Sequence, residues 1–222
     1  MSCATVSDGS RFGLCDNCRM NRRQVVALTL VGIAAALAGV ILARMFGAGS
    51  VALQSGTWLP NPRAVADFHL QDLSGRDFDL QRLRGHPTLL FFGFTNCPDV
   101  CPTTLATLAQ TQRGRPLPGA QVVFISIDPQ RDSAANLSAY LGAFGSDFIG
   151  ARGDEAALAP LLKSLNAIAL KQTLPDGNYT MDHSATLYLI DTHARLAAVF
   201  SPPFKTSELT ADLRRIAASA TL

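Results

Sequence analysis

The chain has 222 residues, a formal net charge of +2 and an apolar fraction of 48%. This length accommodates one domain and a membrane anchor rather than two full domains. No long Lys/Arg block occurs, so the sequence gives no indication of a nucleic-acid partner. The odd number of cysteines excludes complete internal pairing; they are Cys3, Cys15, Cys18, Cys97 and Cys101.

The first feature along the chain is an uncharged apolar run at residues 24–43, QVVALTLVGIAAALAGVILA. Its twenty residues are enough for a helix to cross about 30 Å of hydrocarbon. The run therefore predicts a transmembrane helix that anchors the chain in a bacterial inner membrane. A cleaved signal peptide, with a small-residue site at residues 48–50, is the alternative, although its apolar region is usually shorter.

Basic residues lie mainly before this run. Four arginines precede it and only Arg44 follows closely; the four are Arg11, Arg19, Arg22 and Arg23. The positive-inside rule then places residues 1–23 in the cytoplasm as a tail and the rest of the chain in the periplasm. The periplasm is oxidising, so Cys97 and Cys101 are expected to form a reversible disulfide there.

Residues 44–64 are rich in Gly, Ser, Ala and Pro and predict a tether, which places the folded domain at residues 65–222. Two runs in which apolar and polar residues alternate, within residues 66–79, predict a hairpin around Ser74 and Gly75. Continuous apolar runs at 88–94 and 121–127 predict strands that are buried on both faces.

The rest of the chain alternates between helical and strand patterns. Helices are expected at 133–144 with Asp132 as N-cap, from Asp154 to about 165, and at 206–218. Strands are expected at 185–191 and 195–200, joined by a turn. The alternation predicts an α/β fold with a largely parallel centre and an antiparallel edge.

Cys97 and Cys101 follow a predicted buried strand and open a predicted helix. Their i, i+4 spacing places both sulfurs on one face of the first turn, where they can bind one ion or form a disulfide. Pro98 suits the first helical position, and the helix N-terminus favours the thiolate form. The pair alone leaves open a redox dithiol, a metal site and a structural disulfide. Cys15 and Cys18, in the N-terminal tail, cannot complete a four-ligand site by themselves.

Four histidines occur, and turns or a hairpin explain three of them: His69, His86 and His193. The fourth, His183, stands just before the predicted buried strand at 185–191. Asp182 precedes it and is expected to orient its ring or loop. Asp128, Arg131 and Asp132 belong to a loop that is expected to lie near the site, although ending a strand at Asp128 and capping a helix with Asp132 is the preferred explanation of these residues.

Three stretches together resemble the Sco/SenC family of copper chaperones for cytochrome c oxidase. They are FGFTNCPDVCP at 92–102, SIDPQRD at 126–132 and DHSATLYLID at 182–191. The resemblance implies a thioredoxin-like fold and a copper site made by Cys97, Cys101 and His183. Two thiolates and an imidazole suit Cu(I) and tolerate Cu(II). Three ligands also leave a position open for transfer, whereas structural zinc sites close with four.

The resemblance implies a membrane-anchored metallochaperone that delivers copper to the dinuclear centre of cytochrome c oxidase subunit II. The alternative is an enzyme, a thiol-disulfide reductase in which Cys97 and Cys101 reduce the cysteines of that subunit. A thioredoxin-like reductant or another copper donor is a further expected partner. His183 discriminates between these functions, because copper binding requires it and dithiol exchange does not.

Overall fold

The computed structural model describes residues 21–46, 51–145 and 147–219, with side chains up to residue 40 in the first range. Cys3, Cys15, Cys18 and the predicted tail at 1–20 lie outside the described residues. The chain divides into two compact units, Met1–Ala48 and Gly49–Leu222.

The first unit contains one helix, α1, at Arg22–Phe46. Its segment Arg22–Val40 is long and apolar enough to cross a membrane, by length and composition, and no part of it is buried within the protein. The predicted apolar run at 24–43 therefore lies inside an observed helix. These properties fit a membrane anchor and a signal sequence alike.

The second unit is built on an eight-stranded mixed sheet. Its strands are β1 Gly56–Ala64, β2 Leu70–Asp72, β3 Asp77–Phe78, β4 Thr88–Gly93, β5 Gln121–Ser126, β6 Phe148–Arg152, β9 Leu187–Ile190 and β10 Arg195–Phe200. They lie in the order β1-β10-β9-β4-β5-β6-β2-β3. Strands β4, β5 and β6 are parallel, while β9, β10, β1, β2 and β3 join antiparallel.

The helices of this unit are α2 Leu80–Leu83, α3 Val100–Arg113, α4 Ala134–Gly142, α5 Glu155–Leu165 and α6 Thr206–Ala218. Helices α3, α4 and α5 follow the parallel strands β4, β5 and β6, while α2 and α6 follow β3 and β10. Every residue of β4 is buried, as its unbroken apolar run predicts. The predicted α/β architecture with a parallel centre and an antiparallel edge is confirmed.

The structure corrects the boundary that was predicted for the tether at 44–64. Residues 56–64 form β1, which pairs antiparallel with β10, and the compact unit begins at Gly49. Trp58 is only 9% exposed, so this segment gains apolar burial as well as backbone hydrogen bonds. Prolines are tolerated because β1 lies at the sheet edge and its register shifts between Trp58 and Arg63.

A second, two-stranded sheet was not predicted from the sequence. It consists of β7 at Ala169–Thr173 and β8 at Tyr179–His183, paired antiparallel. Most of its residues are exposed or only partly buried, so no apolar period marks them. This hairpin carries His183 at the end of β8.

A buried carboxylate joins the start of the second unit to its last helix. Asp212 on α6 is fully buried and accepts hydrogen bonds from the backbone amides of Gln54 and Ser55, at 2.8 Å each. The hydroxyl of Ser55 also donates to it, and Arg215 forms an ion pair with it at 3.2 Å. These contacts hold the segment before β1 against α6.

Replacing Asp212 with Ala should therefore destabilise the second unit by about 3 kcal/mol, because two backbone amides, one hydroxyl and one guanidinium lose a fully buried acceptor. The measurement is urea unfolding followed by the fluorescence of Trp58, the single tryptophan. Glu208→Ala is the matched control on the same helix, since that carboxylate makes only a surface pair with Lys205. Equal midpoints for the two variants would contradict a role for Asp212 in tying the segment down.

Candidate metal centre

The thiol pair lies at the carboxyl end of β4, where α3 begins. Cys101 is in the first turn of α3 and is completely buried, whereas Cys97 in the preceding loop is partly exposed. The backbone amide of Cys101 donates to the sulfur of Cys97 at 3.3 Å. A helix N-terminus leaves such amides without a partner, so here a sulfur takes the capping position that the side chain of Asp99 leaves unused.

His183 completes the site from the β7–β8 hairpin. Its Nε2 atom lies 3.6 Å from the sulfur of Cys101. Its Nδ1 atom lies 3.2 Å from the carbonyl oxygen of Ser184, and a carbonyl can only accept, so the proton belongs on Nδ1. The lone pair of Nε2 is then free to face the thiols.

Two phenylalanines hold the imidazole ring edgewise. The ring of Phe94 is 5.8 Å from the His183 ring at 89°, and that of Phe91 is 6.1 Å away at 77°. Both come from the β4 region that leads to the cysteines. The group that orients the ring is therefore the Ser184 carbonyl, and Asp182, which was expected to orient the ring or its loop, is exposed and makes no described hydrogen bond to the ring.

The three donor atoms fit one metal ion. The sulfurs of Cys97 and Cys101 and a ring nitrogen of His183 all lie within 4.8 Å of one another. Donors that bind one ion at about 2.0–2.3 Å are separated by roughly 3.5–4 Å, so small side-chain movements suffice for coordination. The sequence-predicted triad is thus brought together, and partial exposure of Cys97 leaves the site accessible from one side.

The two thiols differ strongly in acidity. The hydrogen bond with the side chain of Cys101 lowers the pKa of Cys97 to about 4, against the opposing effect of burial, and the backbone amide of Cys101 contributes in the same direction. The same contact and burial raise the pKa of Cys101. At neutral pH the pair therefore carries one thiolate and one thiol, and a metal that binds both sulfurs must displace the second proton.

Gly93 is a site residue that sequence reasoning missed. A Cβ atom at this position would lie 2.8 Å from the sulfur of Cys101 and 2.7 Å from the ring of Phe124. Any side chain here would push the sulfur out of its place. A glycine inside an otherwise continuous apolar strand was the available signal.

Asp132 lies near the site, as one sequence interpretation expected, but its role is not the preferred one. It was expected to cap α4, but Ser133 is the N-cap and its hydroxyl accepts from the amide of Asn136. The buried carboxylate of Asp132 instead accepts from the amide and hydroxyl of Thr95, two residues before Cys97. It connects the loop after β5 to the thiol loop.

The other histidines stand apart from the cluster. His69 is largely exposed beside Asp67, and His86 and His193 are exposed in turns. None of the three belongs to the one group of three metal-binding side chains found among the described residues. Their turn and hairpin positions agree with the sequence prediction.

The fold and the site together define a thioredoxin-like domain with a Cys–Cys–His donor set at the end of a central strand. Residues 58–218 match the SCO1/SenC family. The chain belongs to this family.

Individual relatives support the same assignment. A putative copper-binding protein of Stutzerimonas stutzeri is 34% identical over 161 residues, which cover 71% of this chain and 79% of that protein. The structure of Bradyrhizobium japonicum ScoI with copper bound is 39% identical, with a TM-score of 0.62, and covers 68% of this chain and 98% of that one. BsSco, 20% identical over 77% of this chain and 99% of its own, has a TM-score of 0.57 and agrees in fold. The predicted thioredoxin-like fold is confirmed.

The unequal acidity of the thiols predicts selective alkylation. At pH 6, well above the lowered pKa of Cys97, iodoacetamide should modify Cys97 and leave the buried Cys101 unmodified. As the pH falls through about 4, Cys97 should become protonated and its modification should stop. Peptide mapping of the reduced full-length protein by mass spectrometry measures both sites separately.

Cys97→Ser is the control, and Cys101 should remain unmodified in it at pH 6. Modification of Cys101 before Cys97, or a Cys97 rate that rises only near pH 9, would contradict the assignment of the thiolate.

Proposed function

We propose that the chain binds copper through the sulfurs of Cys97 and Cys101 and Nε2 of His183. The observation that carries this proposal is the convergence of the three donors, with Nε2 3.6 Å from a buried sulfur. Thiolate and imidazole are soft to borderline donors, which suit Cu(I) and accept Cu(II). A relative that is named a putative copper-binding protein and a copper-bound ScoI structure support the choice of metal.

We further propose that copper is cargo rather than a permanent part of the site. Three protein ligands leave a coordination position open, and the partly exposed Cys97 lies on the accessible side. A ligand from an acceptor protein can enter there, so copper moves by stepwise ligand exchange. The proposed acceptor is the dinuclear copper centre of cytochrome c oxidase subunit II, since BsSco is described as a member of a family of cytochrome c oxidase assembly proteins.

The second candidate function is reduction of the cysteines of that subunit, and the acidity of Cys97 favours it. The Cys97 thiolate would attack a partner disulfide, which forms a mixed disulfide and releases one partner thiolate. The Cys101 sulfur would then attack Cys97 and release the second partner sulfur, which leaves a Cys97–Cys101 disulfide. A thioredoxin-like reductant would be needed to restore the dithiol. That disulfide removes both thiolate ligands, so it and copper exclude each other.

For the location, we propose a single-pass inner-membrane protein. Residues 24–43 would span the bilayer, residues 1–23 would be cytoplasmic, and the copper-binding domain would be periplasmic. The length and composition of α1 and the arginines before residue 24 support this orientation.

A periplasm-dependent enzyme reporter fused after Leu222 should therefore be active, because the domain lies outside the cytoplasm. The same reporter fused after Asn21 should be inactive, and a cytoplasmic reporter should show the opposite pattern. Activity of the cytoplasmic reporter after Leu222 would reject the proposed topology. An intact mass that includes residues 1–23 separates an anchor from a cleaved signal peptide.

His183→Ala separates the two functions. Removal of the imidazole should weaken Cu(II) binding by about 100-fold or more and Cu(I) binding by about tenfold or less, because Cu(I) tolerates two sulfurs. The measurement is competitive titration with a chelator, with serine at Cys3, Cys15 and Cys18 so that only the proposed site reports. His193→Ala, an exposed turn histidine, is the matched control.

In cells, the His183→Ala variant should fail to support assembly of active cytochrome c oxidase, while its dithiol still cycles with a disulfide. Suppose instead that the variant supports full assembly and binds Cu(I) and Cu(II) with the affinities of the unmodified protein. Delivery through a three-ligand site would then be rejected, and the reductase function would be the better account.

A further inference from the structure

The hairpin that carries His183 is not held in place by the main sheet. Among the described residues, β7 and β8 pair with each other and not with the eight-stranded sheet. A cavity of about 450 Å³ lies beneath it, lined in part by Met181, Tyr179 and Leu162. An isolated two-stranded hairpin is only marginally stable. Its position over the thiols must therefore depend on side-chain contacts.

The strongest of these contacts come from the loop between β5 and α4. The guanidinium of Arg131 stacks 3.7 Å from the ring centre of Tyr179 on β8, and its Nη1 donates to the Tyr179 carbonyl at 2.9 Å. Asp128 accepts from both Arg131 Nε and the Tyr179 hydroxyl. The side chain of Arg131 is 22% exposed, so these bonds are partly shielded from water.

The same loop also holds the thiols. The fully buried carboxylate of Asp132 accepts from the Thr95 hydroxyl at 2.5 Å and the Thr95 amide at 3.2 Å. The Ser126 hydroxyl at the end of β5 donates to it at 2.6 Å. Thr95 lies two residues before Cys97, so Asp132 fixes the start of the thiol loop.

We infer that residues 126–132 form a bracket that sets the distance between the two thiols and His183. Arg131 and Asp128 hold the hairpin, and the adjacent Asp132 holds the thiol loop. These are positioning residues, because the structure shows no contact between them and the three donor atoms. The inference rests on the proposed copper function and gives a specific role to the stretch SIDPQRD, whose loop was expected to lie near the site.

The bracket should affect the affinity for Cu(II) more than the affinity for Cu(I). Cu(I) is satisfied by the two sulfurs, whose spacing is set by the short segment from Cys97 to the first turn of α3. Cu(II) requires the nitrogen donor, whose place depends on the hairpin. Loosening the hairpin should therefore reduce Cu(II) affinity selectively and alter the Cu(II)–thiolate absorption band.

The test is Arg131→Met, which keeps the length of the stem and removes the guanidinium. Cu(II) affinity should fall by about 10–100-fold, the range for groups that orient metal ligands, while Cu(I) affinity changes less than about threefold. Chelator competition gives both affinities, and visible absorption and electron paramagnetic resonance report the Cu(II) site. The full-length protein carries serine at Cys3, Cys15 and Cys18.

Tyr179→Phe is the second variant, because it removes only the hydroxyl bond to Asp128 and keeps the stacking ring. Its loss of Cu(II) affinity should be smaller than that of Arg131→Met, and it decides the question if Arg131→Met does not fold. Arg76→Met is the matched control, since that guanidinium also pairs with an aspartate, Asp72, but neither residue belongs to residues 126–132 or makes a described hydrogen bond to them. It should leave both affinities and both spectra unchanged.

His183→Ala is measured in parallel to separate the inference from the function. If His183→Ala loses Cu(II) and both bracket variants keep it with an unaltered spectrum, the bracket is rejected and the copper site stands. If His183→Ala itself keeps Cu(II), the proposed copper site is rejected. Equal losses of Cu(I) and Cu(II) in the bracket variants would indicate general destabilisation and would also reject the bracket.

Discussion

The site depends on the contact between the sulfur of Cys101 and the backbone of β4 at Gly93. Position 93 has no side chain, so the first turn of α3 packs directly on the end of the central strand and buries Cys101 completely. That burial places a sulfur at the carboxyl end of β4, beside the carboxyl end of the parallel strand β5. Strand ends of this kind are where binding sites collect in open α/β sheets.

The difference in burial then gives the two cysteines different protonation states. Cys101 is shielded and keeps its proton, whereas Cys97 is partly exposed and carries the negative charge. In the proposed function, the exposed thiolate is the first ligand to meet an incoming ion or partner, and the buried thiol gives up its proton as the ion settles. The same asymmetry serves disulfide exchange, so the dithiol alone does not distinguish a carrier from a reductase.

His183 distinguishes a copper carrier from a reductase. It stands on a hairpin outside the main sheet, whereas the thiols lie in the loop after β4 of the main sheet and in the first turn of α3. The thiols are held by a buried strand, a helix and the carboxylate of Asp132. The imidazole is held by a hairpin outside the main sheet, by two phenylalanine edges and by the Ser184 carbonyl. The thiol half of the site is therefore part of the main sheet and its helix, whereas the imidazole half stands on a separate hairpin.

The sequence by itself determined the elements in which the apolar positions along the chain coincide with the positions that are buried in the fold. The apolar run at β4, the strand at 195–200 and the helix at 206–218 were predicted with bounds at or within one residue of those observed, and Asp154 caps α5 as expected. In each, local periodicity or a capping side chain carries the information. The three donors also followed from sequence, through motif resemblance rather than spacing alone.

Only the tertiary structure decided the remaining features. The β7–β8 hairpin is too exposed to show an apolar period, and β1, rich in proline, becomes a strand only because β10 offers an edge. Asp132 acts on Thr95, 37 residues away, and Arg131 acts on Tyr179, 48 residues away. Local sequence patterns report neighbours along the chain, whereas these contacts exist only once the sheet has brought distant loops together.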